Sequence, residues 1–253
     1  MFDIFNAPEL KGMFGESLVN LATTIALDDR IYKQLNNVTL PLKNGGSTQI
    51  DHVIVSIYGI FVIETKNYQG MIFGSPEQEQ WTQATYSGKY SFKNPLKQNA
   101  YHLKVLANLL GLAETNFYSV IAFIGDSEFM TPMPNNVCEE DFFIYIMQQR
   151  NLHFDQTQVH DIVKKIQNLR LQPSAKTDQQ HNDYVQQKSN HPTCPICHTL
   201  MVKRVAKQGN QQGSQFWGCR RFPQCRGTKP FDDKPAEQQI SAREMERIIS
   251  ALF

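Results

Sequence analysis

The sequence predicts an α/β protein, with a mixed sheet flanked by helices and a small cysteine-rich module after it. Three observations carry this. Residues 50–66 hold two apolar runs around Tyr58-Gly59, with apolar side chains on both faces, the pattern of a sheet covered on both sides. Residues 94–111 and 155–169 carry apolar stripes at helical spacing. Beyond a polar stretch, Cys194, Cys197, Cys219 and Cys225 form two spaced pairs. A length of 253 residues suits one core domain plus such a module.

Composition bounds the function only loosely. A hydrophobic content of 41% suffices for a globular core, and a net charge of +1 gives no overall case for nucleic acid. Met1-Phe-Asp-Ile-Phe lacks the basic start and long apolar stretch of a secretion signal. The apolar run at 53–63 is too short to span a bilayer. The expected location is cytoplasmic, where spaced cysteines more often bind metal than form disulfides.

In chain order, residues 8–27 read as a helix with Leu10, Phe14, Leu18, Leu21 and Ile25 on one stripe, and Glu16 off it. A strand follows at 30–42, then a turn at Asn44-Gly45-Gly46-Ser47. In the hairpin after it, a two-residue loop at Tyr58-Gly59 pairs Ile57 with Ile60, Val55 with Val62, Val53 with Glu64 and Asp51 with Lys66. Side chains alternate with period 2, so Asp51, Glu64 and Lys66 converge on one face at the open end. His52, Ile54, Phe61 and Ile63 take the other face.

Three charges inside a sheet are costly unless paired, hydrogen-bonded or metal-bound. Two carboxylates beside a lysine suit divalent-metal chemistry on phosphate esters. Mg²⁺ takes oxygen ligands, and the metal can orient a water and lower its pKa. The lysine can hold that water or the scissile phosphate. A structural ion pair at the sheet end is the alternative reading.

Asn94-Pro95 starts a helix that Gly111 stops. Leu96, Leu103, Ala107 and Leu110 form one stripe, and Gln98, His102, Val105 and Leu109 a second, so Gln98 and His102 face protein or a site. The apolar runs 118–124 and 142–147 fit buried strands, with Cys138 between them an isolated thiol. Asp155 caps a helix to Leu169 with Val159, Ile162, Val163 and Ile166 inward. Residues 171–192, rich in Gln, Asn, Asp, Ser and Lys, read as a flexible linker. Domain limits follow: a core at 1–170, the linker at 171–192, the cysteine module at 193–230 and a tail at 231–253. In the tail, Ser241 and Glu244 form a capping box for a short amphipathic helix.

Two cysteine pairs can close a tetrahedral Zn²⁺ site, so Cys194, Cys197, Cys219 and Cys225 are the expected zinc ligands. From His191 to Lys229 there are seven Lys or Arg and no Asp or Glu. A zinc tetrathiolate contributes two negative charges, which leaves the module at about +5. Lys203, Arg204, Arg220 and Arg221 can track a phosphate backbone, and Trp217 and Phe222 among them can stack on bases. For Trp217, packing in so small a domain is an equal alternative.

Two resemblances give these residues an identity. Ile50-Asp51-His52-Val53, then Gly59-Ile-Phe-Val-Ile-Glu64-Thr65-Lys66-Asn67-Tyr68-x-Gly70, resembles the nuclease-related domain (NERD) family of the PD-(D/E)xK nuclease superfamily. Lys11-Gly12-x-x-Gly15-Glu16, Leu40-Pro41, Gly46-Ser47-Thr48-Gln49, Trp81 and Asn94-Pro95-x-x-Gln98 agree with it, over roughly residues 8–125. The resemblance implies a restriction-endonuclease-like fold. It also implies Mg²⁺ or Mn²⁺ on Asp51, Glu64 and the Thr65 carbonyl, Lys66 as catalytic lysine, and Glu16 and Gln98 beside them. The position that is Tyr in some relatives, four residues after the glutamine, is His102 here. Cys194-Pro-x-Cys197, Phe216-Trp217-Gly218-Cys219 and Phe222-Pro223-x-Cys225 closely resemble the C4 zinc ribbon of bacterial type IA topoisomerases, which implies binding of single-stranded DNA.

The expected protein is thus a metal-dependent DNA nuclease with a structural Zn²⁺, acting on single-stranded or unpaired DNA in processing or repair, without membrane contact. A non-catalytic DNA-binding adaptor and an RNA-processing nuclease are the rivals, since no motif reports the sugar.

Overall fold

The computed structural model describes Val19, Thr23 and residues 26–208 and 212–231, the side chain of Ser189 excepted. The chain forms two compact units, 1–184 and 185–253. Glu16 and the expected tail helix lie outside the described residues, and so does most of the expected helix at 8–27. Its described residues Val19, Thr23 and Ala26 are helical, with Val19 and Thr23 buried.

The first three strands are an antiparallel meander: β1 (Lys33–Pro41), β2 (Ser47–Ser56) and β3 (Gly59–Asn67). The β1–β2 turn forms as predicted, with Gly45 at φ +84° and the Gly46 N–H donating to Asn44 Oδ1 at 3.1 Å. The β2–β3 register differs from the predicted one. Ser56 pairs with Gly59, Val55 with Ile60 and Val53 with Val62, so the two turn residues are Ile57 and Tyr58. Gly59 instead opens β3 at φ +124°, where a Cβ would come within 2.9 Å of the Tyr118 ring and 3.0 Å of the Asn116 carbonyl. The slip changes each pairing by two residues, an even number, so every side chain keeps its predicted face.

From β3 the chain enters a second sheet that the sequence reading lacked: β4 (Gly70–Phe73), β5 (Gln80–Thr85) and β6 (Gly88–Lys93). Its anchor is Trp81, fully buried, with its ring stacked on Phe123 and its indole N–H donating to the Ser75 carbonyl at 2.9 Å. Helix α1 (Pro95–Leu110) follows. Asn94 caps it by accepting from the Leu96 N–H at 2.9 Å, and Gly111 ends it at φ +68°.

A 3₁₀ turn (Glu114–Asn116) leads to β7 (Phe117–Ile124), which runs parallel to β3 from Ile60↔Phe117 to Asn67↔Ile124. Next come β8 (Ser127–Phe129), parallel to β4, and β9 (Val137–Cys138), parallel to β7. The main sheet therefore runs β1-β2-β3-β7-β9 and the second β6-β5-β4-β8.

Both faces of the main sheet are covered, as predicted. Val53, Val55, Ile60 and Val62 pack under Leu106, Ala107 and Leu110 of α1 and under α3 (Gln156–Leu169), which buries Val159, Ile162 and Ile166. Ile54, Phe61, Ile63, Val120 and Ala122 pack on the other side with Val19, Leu27 and α2 (Phe142–Gln148). Each Val, Leu, Ile or Phe side chain among them contributes about 1.5–3 kcal/mol when fully buried. Helix α3 has the predicted Asp155 cap, with the Gln158 side chain closing the box.

Residues 142–147 form helix α2 and not a strand. A short apolar run fits either, and burial of Phe142 and Ile146, four apart, marks the helical face. The sheet position that this strand would take is filled by Val137-Cys138, where burial and then Asp141 push the Cys138 thiol up to about 11. Within the predicted linker, Ala175–Asn190 is helix α4. Its Tyr184 ring lies where a Cβ on Gly46 would be, and its hydroxyl accepts from Asn44 Nδ2 at 3.2 Å. His181 Nδ1 lies 2.9 Å from Ser47 Oγ. A polar sequence hides a helix whose anchors are two side chains.

The second unit is a three-stranded antiparallel sheet of β10 (Met201–Val205), β11 (Gln215–Cys219) and β12 (Thr228–Pro230). Among the described residues no helix is long and apolar enough to cross a membrane.

Candidate active site

Asp51, Glu64 and Lys66 lie on the α1 side of the sheet. The regular ladder ends at His52↔Ile63, and one step further the Thr65 N–H donates to Asp51 Oδ2 at 2.7 Å. Asp51 is therefore tied to the middle residue of Glu64-Thr65-Lys66, and not placed opposite Lys66 as predicted. Glu64 is 3% exposed. Its Oε1 accepts from Lys66 Nζ at 2.5 Å and from Gln98 Nε2 at 2.7 Å. Its Oε2 accepts no hydrogen bond among the described residues, and His102 Nδ1 lies 3.5 Å away.

An ionised carboxylate oxygen buried without a donor is costly. A cation at Oε2 would satisfy it, and Asp51, Glu64 and the Thr65 carbonyl offer the oxygen donors that could hold a hard divalent metal. Burial opposes the charge on Lys66, but the attraction of Glu64, its hydrogen bond and the pull of Asp51 outweigh burial and raise the lysine pKa. The lysine is held as a cation. Tyr68, half-buried beside this pair, has its pKa raised by burial.

Helix α1 supplies the rest. Gln98 also places its Oε1 3.4 Å from Lys66 Nζ. The sequence reading passed over Asn99, which is fully buried and whose Nδ2 donates to the Val62 carbonyl (2.7 Å), Ser119 Oγ (2.8 Å) and the Val120 carbonyl (3.2 Å). These contacts tie α1 to both β3 and β7, with Gln98 and His102 on either side. The signal was present: Asn99 falls on the Leu96–Leu103 apolar stripe, where a polar residue needs a reason. His52, on the opposite face, is fully buried, and burial lowers its pKa to about 4. Its Nδ1 lies 3.0 Å from Asn36 Oδ1, and it takes no part in the cluster.

In the second unit, the Cys194, Cys197, Cys219 and Cys225 sulfurs all lie within 4.8 Å of one another. A zinc tetrathiolate with ~2.3 Å bonds has S···S edges of ~3.8 Å. The Cys194–Cys225 pair is at 3.7 Å and the Cys197–Cys219 pair at 3.4 Å, so the four thiols could hold a zinc ion. The backbone N–H of Thr199, directed at the sulfur, lowers the Cys197 thiol to about 6. Gly227 leaves room for the Cys194 sulfur, which would lie 2.3 Å from a Cβ there.

Around the cysteines, Trp217 is half-buried, packed between His191 and Phe231 with 5.3 Å to each ring. Phe222 is 56% exposed, with the Arg204 guanidinium 5.4 Å above its ring. Lys203, Arg220 and Arg221 are exposed, and the Lys203 ammonium lies 4.0 Å over Phe231.

The first unit is thus an α/β core whose mixed sheet, flanked by helices, bears two carboxylates and a lysine on one face, and a small cysteine-centred module follows it in the chain. Residues 11–124, a little under half of the chain, match the model of the nuclease-related domain. An uncharacterized protein of Bacillus anthracis is 43% identical over 105 residues, which are 42% of this chain and 49% of that protein. The match thus spans about half the length of that relative. No solved structure matches the chain.

Proposed function

We propose that the chain is a metal-dependent nuclease that hydrolyses DNA phosphodiester bonds, with its zinc ribbon holding single-stranded or unpaired DNA, in DNA processing or repair. One observation carries the reading: the buried Glu64 carboxylate has one oxygen occupied by Lys66 and Gln98 and the other without a hydrogen bond among the described residues.

Asp51, Glu64 and the Thr65 carbonyl would hold Mg²⁺ or Mn²⁺, with Glu16 near them. Such a metal lowers the pKa of water and offsets charge on the phosphate. Lys66 presents its ammonium to the attacking water or the scissile phosphate. Gln98 fixes the Glu64 rotamer by donating to Oε1, which keeps Oε2 directed away from the lysine. In the ribbon, Phe222 offers a ring to a base, while Lys203, Arg204, Arg220 and Arg221 offer charge to phosphates. Trp217, from its packed position, offers at most one edge. Tethering the ribbon to the nuclease domain raises the local concentration of substrate.

The test is incubation with single-stranded DNA, duplex DNA and matched RNA plus Mg²⁺ or Mn²⁺. The reading expects DNA cleavage by the wild type and loss in Asp51→Ala and Lys66→Ala. It fails if the wild type cuts nothing, which leaves the adaptor, or if both variants cut equally well. Preference for RNA would reassign the substrate.

A further inference from the structure

Asn37 carries a backbone conformation whose effect falls on the site. Its φ is +50°, and only two non-glycine residues among those described have a positive φ. An L side chain resists this left-handed region, and asparagine enters it more readily than most. The Asn37 side chain is exposed, so its own packing does not impose the conformation.

The conformation marks a change of face in two strands at once. Leu35 and Val38 of β1 are three apart and pack into the same core, under α1 and α3, and so do Ile50 and Val53 of β2. In a regular strand, residues three apart face opposite sides. The ladder steps from Asn36↔His52 to Val38↔Ile50, and the position between them sets Asn37 beside Asp51. Two anchors hold β1 there. Arg170 at the end of α3 donates from Nη2 to the Asn37 carbonyl at 3.4 Å, and the Leu171 N–H donates to the Thr39 carbonyl at 2.8 Å.

The switch decides where Asp51 points. Ile50 is fully buried, and Asp51 keeps the same side of the sheet, with its Oδ2 on the Thr65 N–H at 2.7 Å. Without the switch these neighbours would take opposite faces. Burial holds Ile50, so it is the carboxylate that would turn away from Thr65 and Glu64. Breaks of this kind in a ladder re-aim single side chains.

We propose that Asn37 is a positioning residue for the site: its left-handed backbone switches the facing of β1 and β2, and so keeps the Asp51 carboxylate on the Thr65 amide and on the Glu64 side. The placement of Asp51 follows from the ladder; its effect on a metal rests on the function proposed above.

The test compares Asn37→Val and Asn37→Ala, which oppose the left-handed region, with Asn37→Gly, which allows it, in the full chain with Zn²⁺ supplied. One readout is the Thr65 amide proton shift by NMR, without Mg²⁺ or Mn²⁺. The other is the Mn²⁺ binding that Asp51→Ala abolishes, followed by electron paramagnetic resonance. The valine variant should move the Thr65 amide upfield, as its charge-assisted hydrogen bond lengthens, and weaken Mn²⁺ binding about tenfold or more. The glycine variant should keep the shift and hold Mn²⁺ affinity within about twofold. Alanine resists the region less than valine and takes its place if the valine variant loses cooperative unfolding. A folded valine or alanine variant with the wild-type Thr65 shift and Mn²⁺ affinity overturns the proposal, since Asn37 is then structural only. If the wild type binds no Mn²⁺ at Asp51, the metal reading falls, and the Thr65 shift alone still decides the role of Asn37.

Discussion

Lys66 Nζ donates to Glu64 Oε1 at 2.5 Å, and both side chains are largely buried, at 15% and 3% exposure. Removing one partner of a buried pair leaves an uncompensated charge. Lys66→Met should therefore lower stability in metal-free urea unfolding by about 3 kcal/mol. Mg²⁺ should recover part of that loss, because a cation at Glu64 replaces the missing charge. A loss that Mg²⁺ leaves unchanged would argue for a purely structural ion pair.

Asn99 joins α1 to β3 and β7 through one amide. Asn99→Ala removes three donations from a buried site and should cost about 2 kcal/mol, measured by thermal or urea unfolding. Gln98→Ala, on a half-buried residue, should cost about 1 kcal/mol or less. The reverse order would mean that Asn99 does not anchor the helix.

The docking of α4 should depend on pH. Burial lowers the pKa of His181, against the opposing pull of Asp178. A neutral docked imidazole means that the undocked state binds more protons in acid. Docking is then complete above the ordinary histidine pKa and weakens as pH falls through the depressed one. Hydrogen exchange across 175–184, corrected for intrinsic rates, should show less protection at about pH 5 than at about pH 7.5. His181→Gln should remove the difference.

Zinc removal should unfold the cysteine module and spare the first unit, because metal binding at a tetrathiolate site is folding free energy. The two tryptophans report separately: Trp81 is fully buried in the first unit, and Trp217 packs beside the cysteines. In a Trp81→Phe variant, chelation should shift the remaining emission to the red. In a Trp217→Phe variant it should leave the emission in place.

The sequence made the charged face legible because strand parity survives error. The turn lies one residue earlier than expected, yet an even slip in pairing kept Asp51, Glu64 and Lys66 together. The helix with Gln98 was legible from Asn94-Pro95 and Gly111, and the cysteine cluster from its spacing. What escaped had weak local signals. The second sheet uses short strands with few apolar residues, held by the buried Trp81 and Ile72. Helix α2 is too short for its period to separate it from a strand, and α4 is polar along most of its length. Asn99 and His102 gain meaning only through what faces them across the sheet: backbone carbonyls for one, Glu64 Oε2 for the other.

The central claim is that Glu64 serves as a metal-holding carboxylate in phosphodiester cleavage. Glu64→Gln keeps the shape and removes the charge, so Mn²⁺-dependent cleavage of labelled single-stranded DNA by wild type and variant tests it most directly. The account predicts cleavage by the wild type and a loss of at least about a hundredfold in the variant, with unfolding still cooperative. Cleavage by Glu64→Gln at the wild-type rate, or none by either protein, would contradict it.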